Sequence, residues 1–170
     1  MSATHISEIT SLAAEAHGDE QLREQFFADI HCKSRDTAVK SAWILTHLPS
    51  ADNIHIATHR KRLTSLATET TDTSLRRLTL TLLERLDWTT TVDDMPEYYI
   101  SLLDFCLNHM MLSDEAYGVR SLCMKIAYKI STPYAELADE LRRSLSMLEP
   151  AELGTGVRHT RNKLLKELNQ

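Results

Sequence analysis

The sequence predicts an all-α protein, an α-α superhelix of about four helical hairpins behind an N-terminal helix. Three observations predict it. A hydrophobic residue followed by a basic one recurs at Val39-Lys40, Leu75-Arg76, Val119-Arg120 and Val157-Arg158, and copies about 36–44 residues apart have the period of a helical-hairpin array. The positions after each pair share a helical register. Ala42, Leu78, Leu122 and Thr160 come three residues on, Thr46, Leu82, Ile126 and Leu164 seven on, and Leu86, Ile130 and Leu168 eleven on in the last three copies. Finally, the chain of 170 residues holds four glycines, where average usage of roughly 7% would give about twelve; so few turn glycines disfavour sheet.

Nine helices follow in order. The first, over about 4–17, places Ile6, Ile9, Ala13 and Ala16 on one face, with Gly18 as a left-handed stop. Asp19 caps the second, whose stripe is Leu22, Phe26 and Ile30. The third begins at Asp36, packs Val39, Ala42 and Trp43, and stops before Pro49. A fourth, 52–67, presents Ile56, Leu63 and Leu66. The fifth starts after Asp72 with Leu75, Leu78, Leu82 and Leu86. After the loop 87–95, Pro96 fits the first turn of the sixth, which buries Tyr99, Leu102, Leu103, Cys106 and Met110. Asp114 starts the seventh, with Val119, Leu122, Cys123, Ile126 and Ile130. Thr132-Pro133 opens the eighth, with Leu137, Leu141, Leu145 and Leu148, and Pro150 ends it. Gly154-Thr155-Gly156 leads into the ninth, with Val157, Leu164 and Leu168. With no long linker, the expectation is one domain over 1–170: a capping helix at 1–18, then hairpins at 19–48, 52–86, 96–130 and 133–168.

Asp36 with Val39-Lys40 and Ala42, Asp72 with Leu75-Arg76, then Val119-Arg120 and Val157-Arg158 form a pattern that resembles the HEAT-repeat and armadillo-type superhelices. The resemblance covers about residues 19–168. It implies that the Asp and the Val-Arg pair belong to the second helix of each hairpin, and that the Arg joins a ladder of polar contacts between stacked repeats. Copies three and four carry Ala116 and Gly154 where the Asp would stand, and copy four has Thr160 and Arg161 at core positions, which suits a C-terminal cap.

The net charge is −5, and no Lys or Arg falls between Arg85 and Arg120. A phosphate-tracking protein normally carries a basic face, so this balance disfavours nucleic acid. The N-terminus has neither a basic n-region nor an apolar h-region, so no signal peptide is expected. No apolar run approaches the ~20 residues of a membrane span. Cys32, Cys106 and Cys123 are an odd set without close pairing, each in an apolar helical context, and read as buried, inert thiols. That suits a reducing, cytoplasmic setting.

The candidate binding groove is the basic ladder Lys40, Arg76, Arg120 and Arg158, extended by Arg77 and Arg161. Its alternative is a structural network with neighbouring carboxylates. His55 and His59 stand i, i+4 on a helix, a spacing that chelates zinc, but Ile56 replaces the Glu of the zinc-peptidase motif; exposed histidines are expected, with no metal, cofactor or catalytic residue. Arg60-Lys61-Arg62 reads as a solvated surface. Some DNA-alkylation-repair glycosylases share this fold class and use groove aromatics and carboxylates, which would cast Trp88 with Asp87, Asp93 and Asp94 in that part. Trp43 reads as packing. The functional expectation is a non-enzymatic scaffold or protein-binding module with a protein or peptide partner. The alternative is a nucleic-acid-binding, glycosylase-like superhelical protein.

Overall fold

The computed structural model describes residues 3–89 and 95–170, with side chains from residue 6 onward. Among the described residues there are ten α-helices and no strand. The chain divides into two compact units, Met1–Leu86 and Asp87–Gln170.

The first unit holds α1 (Ala3–Gly18), α2 (Glu20–Asp29), α3 (Arg35–Thr46), α4 (Asn53–Thr58), α5 (Arg60–Glu69) and α6 (Thr73–Glu84). Ile9, Ala13 and Ala16 of α1 are buried, whereas Ile6 is exposed. Gly18 does not turn left-handed, since no described residue has positive φ. Asp19 makes the break instead: its backbone is extended, and its carboxylate accepts the Leu22 N–H, so one residue ends α1 and caps α2. The cap of α3 is Ser34, not Asp36; its hydroxyl accepts the Thr37 N–H, and Asp36 is solvent-exposed. The α3 register is correspondingly one residue off expectation. Ala38, Ser41, Ala42 and Leu45 are buried, and Val39 and Trp43 only half so.

The expected fourth helix is two. His59 ends α4 and precedes α5 with φ −94° and ψ 3°, and its ring is stacked on Phe27 at 3.9 Å. In α6, Asp72 is the cap as expected, accepting the Leu75 N–H at 2.8 Å; Leu75, Leu78, Leu82 and Leu83 are buried, as is Leu86 just past the helix end. α1 packs on α2 and α3, α2 on α3, α5 on α6, and α3 on α6. The second helices of successive hairpins thus stack, as repeat proteins require when no hairpin can bury its own face.

The second unit holds α7 (Glu97–Met111), α8 (Tyr117–Ser131), α9 (Ala135–Met147) and α10 (Thr155–Leu168). Pro96 lies just outside α7, in extended conformation. Asp114 is exposed in the turn, and α8 begins after Ala116. Thr132-Pro133 does not open α9: Thr132 closes α8, its hydroxyl donating to the Tyr128 carbonyl at 2.5 Å, and α9 follows Tyr134. Gly154 lets the Tyr117 ring approach, since a Cβ there would meet the ring at 3.2 Å. α8 is the central element and packs against α7, α9 and α10. Its Val119, Cys123, Ile126 and Ile130 have no exposed surface, and full burial of each aliphatic side chain contributes roughly 1.5–3 kcal/mol.

Candidate functional site

The six residues of the expected basic ladder have separate fates. Lys40, Arg76 and Arg77 belong to the first unit, and Arg120, Arg158 and Arg161 to the second. Most of their guanidinium groups turn back on the chain. Arg76 donates to the carbonyls of Ala67 and Thr70 at the end of α5. Arg120 is 3% exposed, and its Nε donates to the Met110 carbonyl at 3.0 Å at the end of α7. Arg161 donates to Leu145 at 2.9 Å and Ser146 at 3.5 Å at the end of α9. Arg158 reaches the Leu153 carbonyl at 3.4 Å.

The last carbonyls of a helix have no intrahelical donor, and a guanidinium satisfies them while meeting the negative end of the dipole. In these hairpins the second helix therefore caps the first. These arginines thus meet backbone oxygens. Lys40 pairs with Glu8 at 2.6 Å, and Arg77 stays exposed.

A true rung between repeats occurs at other residues. Arg35 Nε donates to Asp72 Oδ2 at 2.5 Å, joining the starts of α3 and α6. The Asp72 carboxyl titrates below its ordinary value, chiefly because it accepts the Leu75 N–H and then because of Arg35, with burial opposing. At the other end, Arg85 donates to Asn53 Oδ1 at 2.9 Å and to the carbonyls of Thr46 and Pro49. Beneath lies a polar knot that sequence reading missed. Asp52, 3% exposed, accepts from or pairs with His17 Nδ1 at 2.8 Å and lies 3.7 Å from Arg23, itself 4% exposed. Arg23 also donates to the Ala16 carbonyl at 3.1 Å.

The histidine expectation needs correction. His55 and His59 do not share a continuous helix. His59 is half-buried against Phe27 and hydrogen-bonds Glu24 at 3.0 Å. Among the described residues no three His, Cys, Asp or Glu side chains gather as metal donors. Cys106 and Cys123 are buried, and burial pushes the Cys106 thiol well up, with neighbouring Cys123 adding to it; Cys32 is exposed, contrary to expectation. Trp88 offers no ring to a ligand. It is 1% exposed and sits edge-on to Tyr99 at 4.8 Å. Asp87 accepts from Thr89, and Asp93 and Asp94 lie outside the described residues. No helix of the described residues is long and apolar enough to cross a membrane.

The second unit has an open groove of about 780 Å³ between α7 and the start of α9. α7 packs chiefly on α8, α9 packs on both α8 and α10, and α7 and α9 touch one another little, which leaves a trough between them. Ile100, Leu103, Leu107 and Leu137 supply apolar lining, and Asp104, Glu136 and Glu140 are the carboxylates. Ile100 is 48% exposed. Leu137, expected in the core stripe, is only half-buried and belongs to the groove lining.

A family profile described as a HEAT repeat domain matches residues 1–168. The chain belongs to the HEAT repeat family. Neither the curated proteins nor the solved structures yield a match. Membership makes this an all-α HEAT-like repeat protein. The groove had one partial signal in the sequence, the acid-only span between Arg85 and Arg120, which holds Asp104 but not Glu136 or Glu140. Its apolar half comes from Ile100 and Leu137, residues about a hairpin apart that no local pattern joins.

Proposed function

We propose that this HEAT repeat protein is a non-enzymatic protein-binding module or scaffold, working in a reducing cytoplasmic setting. The observation that carries the reading is the open apolar groove between α7 and α9. Exposed apolar surface gathered in a concavity marks an interaction site in a soluble protein. Three free cysteines, none in a disulfide, suit the compartment. The nucleic-acid alternative has less support, because Arg76, Arg120, Arg158 and Arg161 spend donors on backbone carbonyls and Trp88 is buried.

The test is a photo-crosslinking amino acid placed at position 100 or, as a control, at position 54, where Ile54 is 71% exposed in the first unit. Irradiation in cells followed by mass spectrometry should give a discrete protein adduct at position 100 and none at 54. Equal, diffuse labelling at both positions contradicts a specific protein site in the groove.

A further inference from the structure

The groove's chemistry selects its partner. We infer that it takes an amphipathic peptide segment whose apolar residues enter between α7 and α9 while flanking Lys or Arg side chains meet Asp104, Glu136 and Glu140. The inference rests on the protein-binding reading above and deepens it.

The floor and wall are aliphatic, from Leu103, Leu107, Leu137 and Ile100, and among the described residues no Lys or Arg lines the groove. All three carboxylates are exposed. The nearest cations along α9 are held within their own helix: Arg142 pairs with Asp139 at 3.1 Å, and Arg143 Nε donates to the Asp139 carbonyl at 3.3 Å. An apolar centre ringed by charge is the anatomy of a peptide interface, and a trough between two helices accepts anchors spaced i, i+3, i+4 and i+7. Carboxylates with no Lys or Arg beside them in the described lining then choose the sign of the flanks. Like charges at that rim repel, so an acidic peptide of equal apolarity is excluded.

The experiment uses the full chain and three fluorescein-labelled 18-residue peptides. One carries Leu at the four anchor positions with Lys at the flanks. The second replaces Lys by Glu, and the third keeps Lys but replaces Leu by Ala. Anisotropy at low salt should show saturable binding of the Leu/Lys peptide and affinity about tenfold or more weaker for the other two. The triple variant Asp104→Asn, Glu136→Gln, Glu140→Gln, all at exposed positions, should weaken the Leu/Lys peptide about tenfold. Ile100→Asp should abolish saturation, and Ile54→Asp should change nothing.

Equal binding of the Leu/Glu peptide, lost in Ile100→Asp, overturns the charge assignment while leaving the groove as a protein site. Binding indifferent to both groove variants, or no binding at all, overturns the groove assignment; a position-100 adduct in cells would still separate that result from failure of the protein-binding reading. Sedimentation covers the remaining occupant: self-association that Ile100→Asp removes would assign the groove to a second copy of the chain.

Discussion

At the residue scale, basic side chains decide much of the internal structure. Arg120 has little exposed surface and closes the end of α7. Arg120→Ala leaves the Met110 carbonyl without its donor and removes the packing of the stem; hydrogen bonds involving a charged group are worth about 1.5–3 kcal/mol. Urea denaturation should show a loss of that order. Asp52→Ala should cost more, about 3–5 kcal/mol, because it strands buried Arg23; wild-type stability would remove the knot from the account. Asp72 gives the acid limb. Its folded carboxyl titrates below its ordinary value of 3.8, so its contribution is present above that value and is lost as pH falls through the lower, folded value. Asp72→Asn should therefore flatten the stability profile below about pH 4. An unchanged slope in thermal melts across that range would contradict the cap.

At the element scale, the legible helices are those whose interior residues are large. α6 reads from Leu75, Leu78 and Leu82 because its stripe is leucine at helical spacing, and all three are buried. α3 reads one residue out of register because its first buried positions are Ala38, Ser41 and Ala42, with Ile44 and Leu45 following, and small residues give a weak hydrophobic signal. The α4–α5 break has no Gly or Pro to announce it; the chain turns at His59, whose ring rests on Phe27. Thr132-Pro133 carries the signature of a helix start, yet Thr132 serves the end of α8. The arginine caps were legible as a spacing but not as a role, since their acceptors are backbone oxygens that every residue possesses. Leu82→Asp puts an unpaired charge where no surface is exposed. Far-UV circular dichroism should show no cooperative wild-type-like transition; one near the wild-type temperature would contradict the register of α6.

At the scale of the whole molecule, the repeat pattern alone identifies the fold, and the family profile over residues 1–168 agrees. The binding surface was far less legible. A groove is made by two helices that meet in space, and its floor uses side chains one helix shares with its core face. Charge supplies what pattern could not. The chain is acidic overall at −5, its repeat arginines are largely turned to carbonyls, and the exposed rim of the groove is carboxylate. Association with a basic partner should then weaken as salt rises, since rim charges are screened within about 10 Å at 0.1 M. The most direct test of this account is a side-by-side anisotropy titration of the full chain with labelled duplex DNA and the Leu/Lys peptide, at low and moderate salt. The peptide should bind saturably and more weakly as salt rises, and the DNA should not bind. Salt-sensitive DNA binding that disappears when Arg76→Ala and Arg158→Ala are combined would contradict it and make the repeat arginines a phosphate-binding stripe.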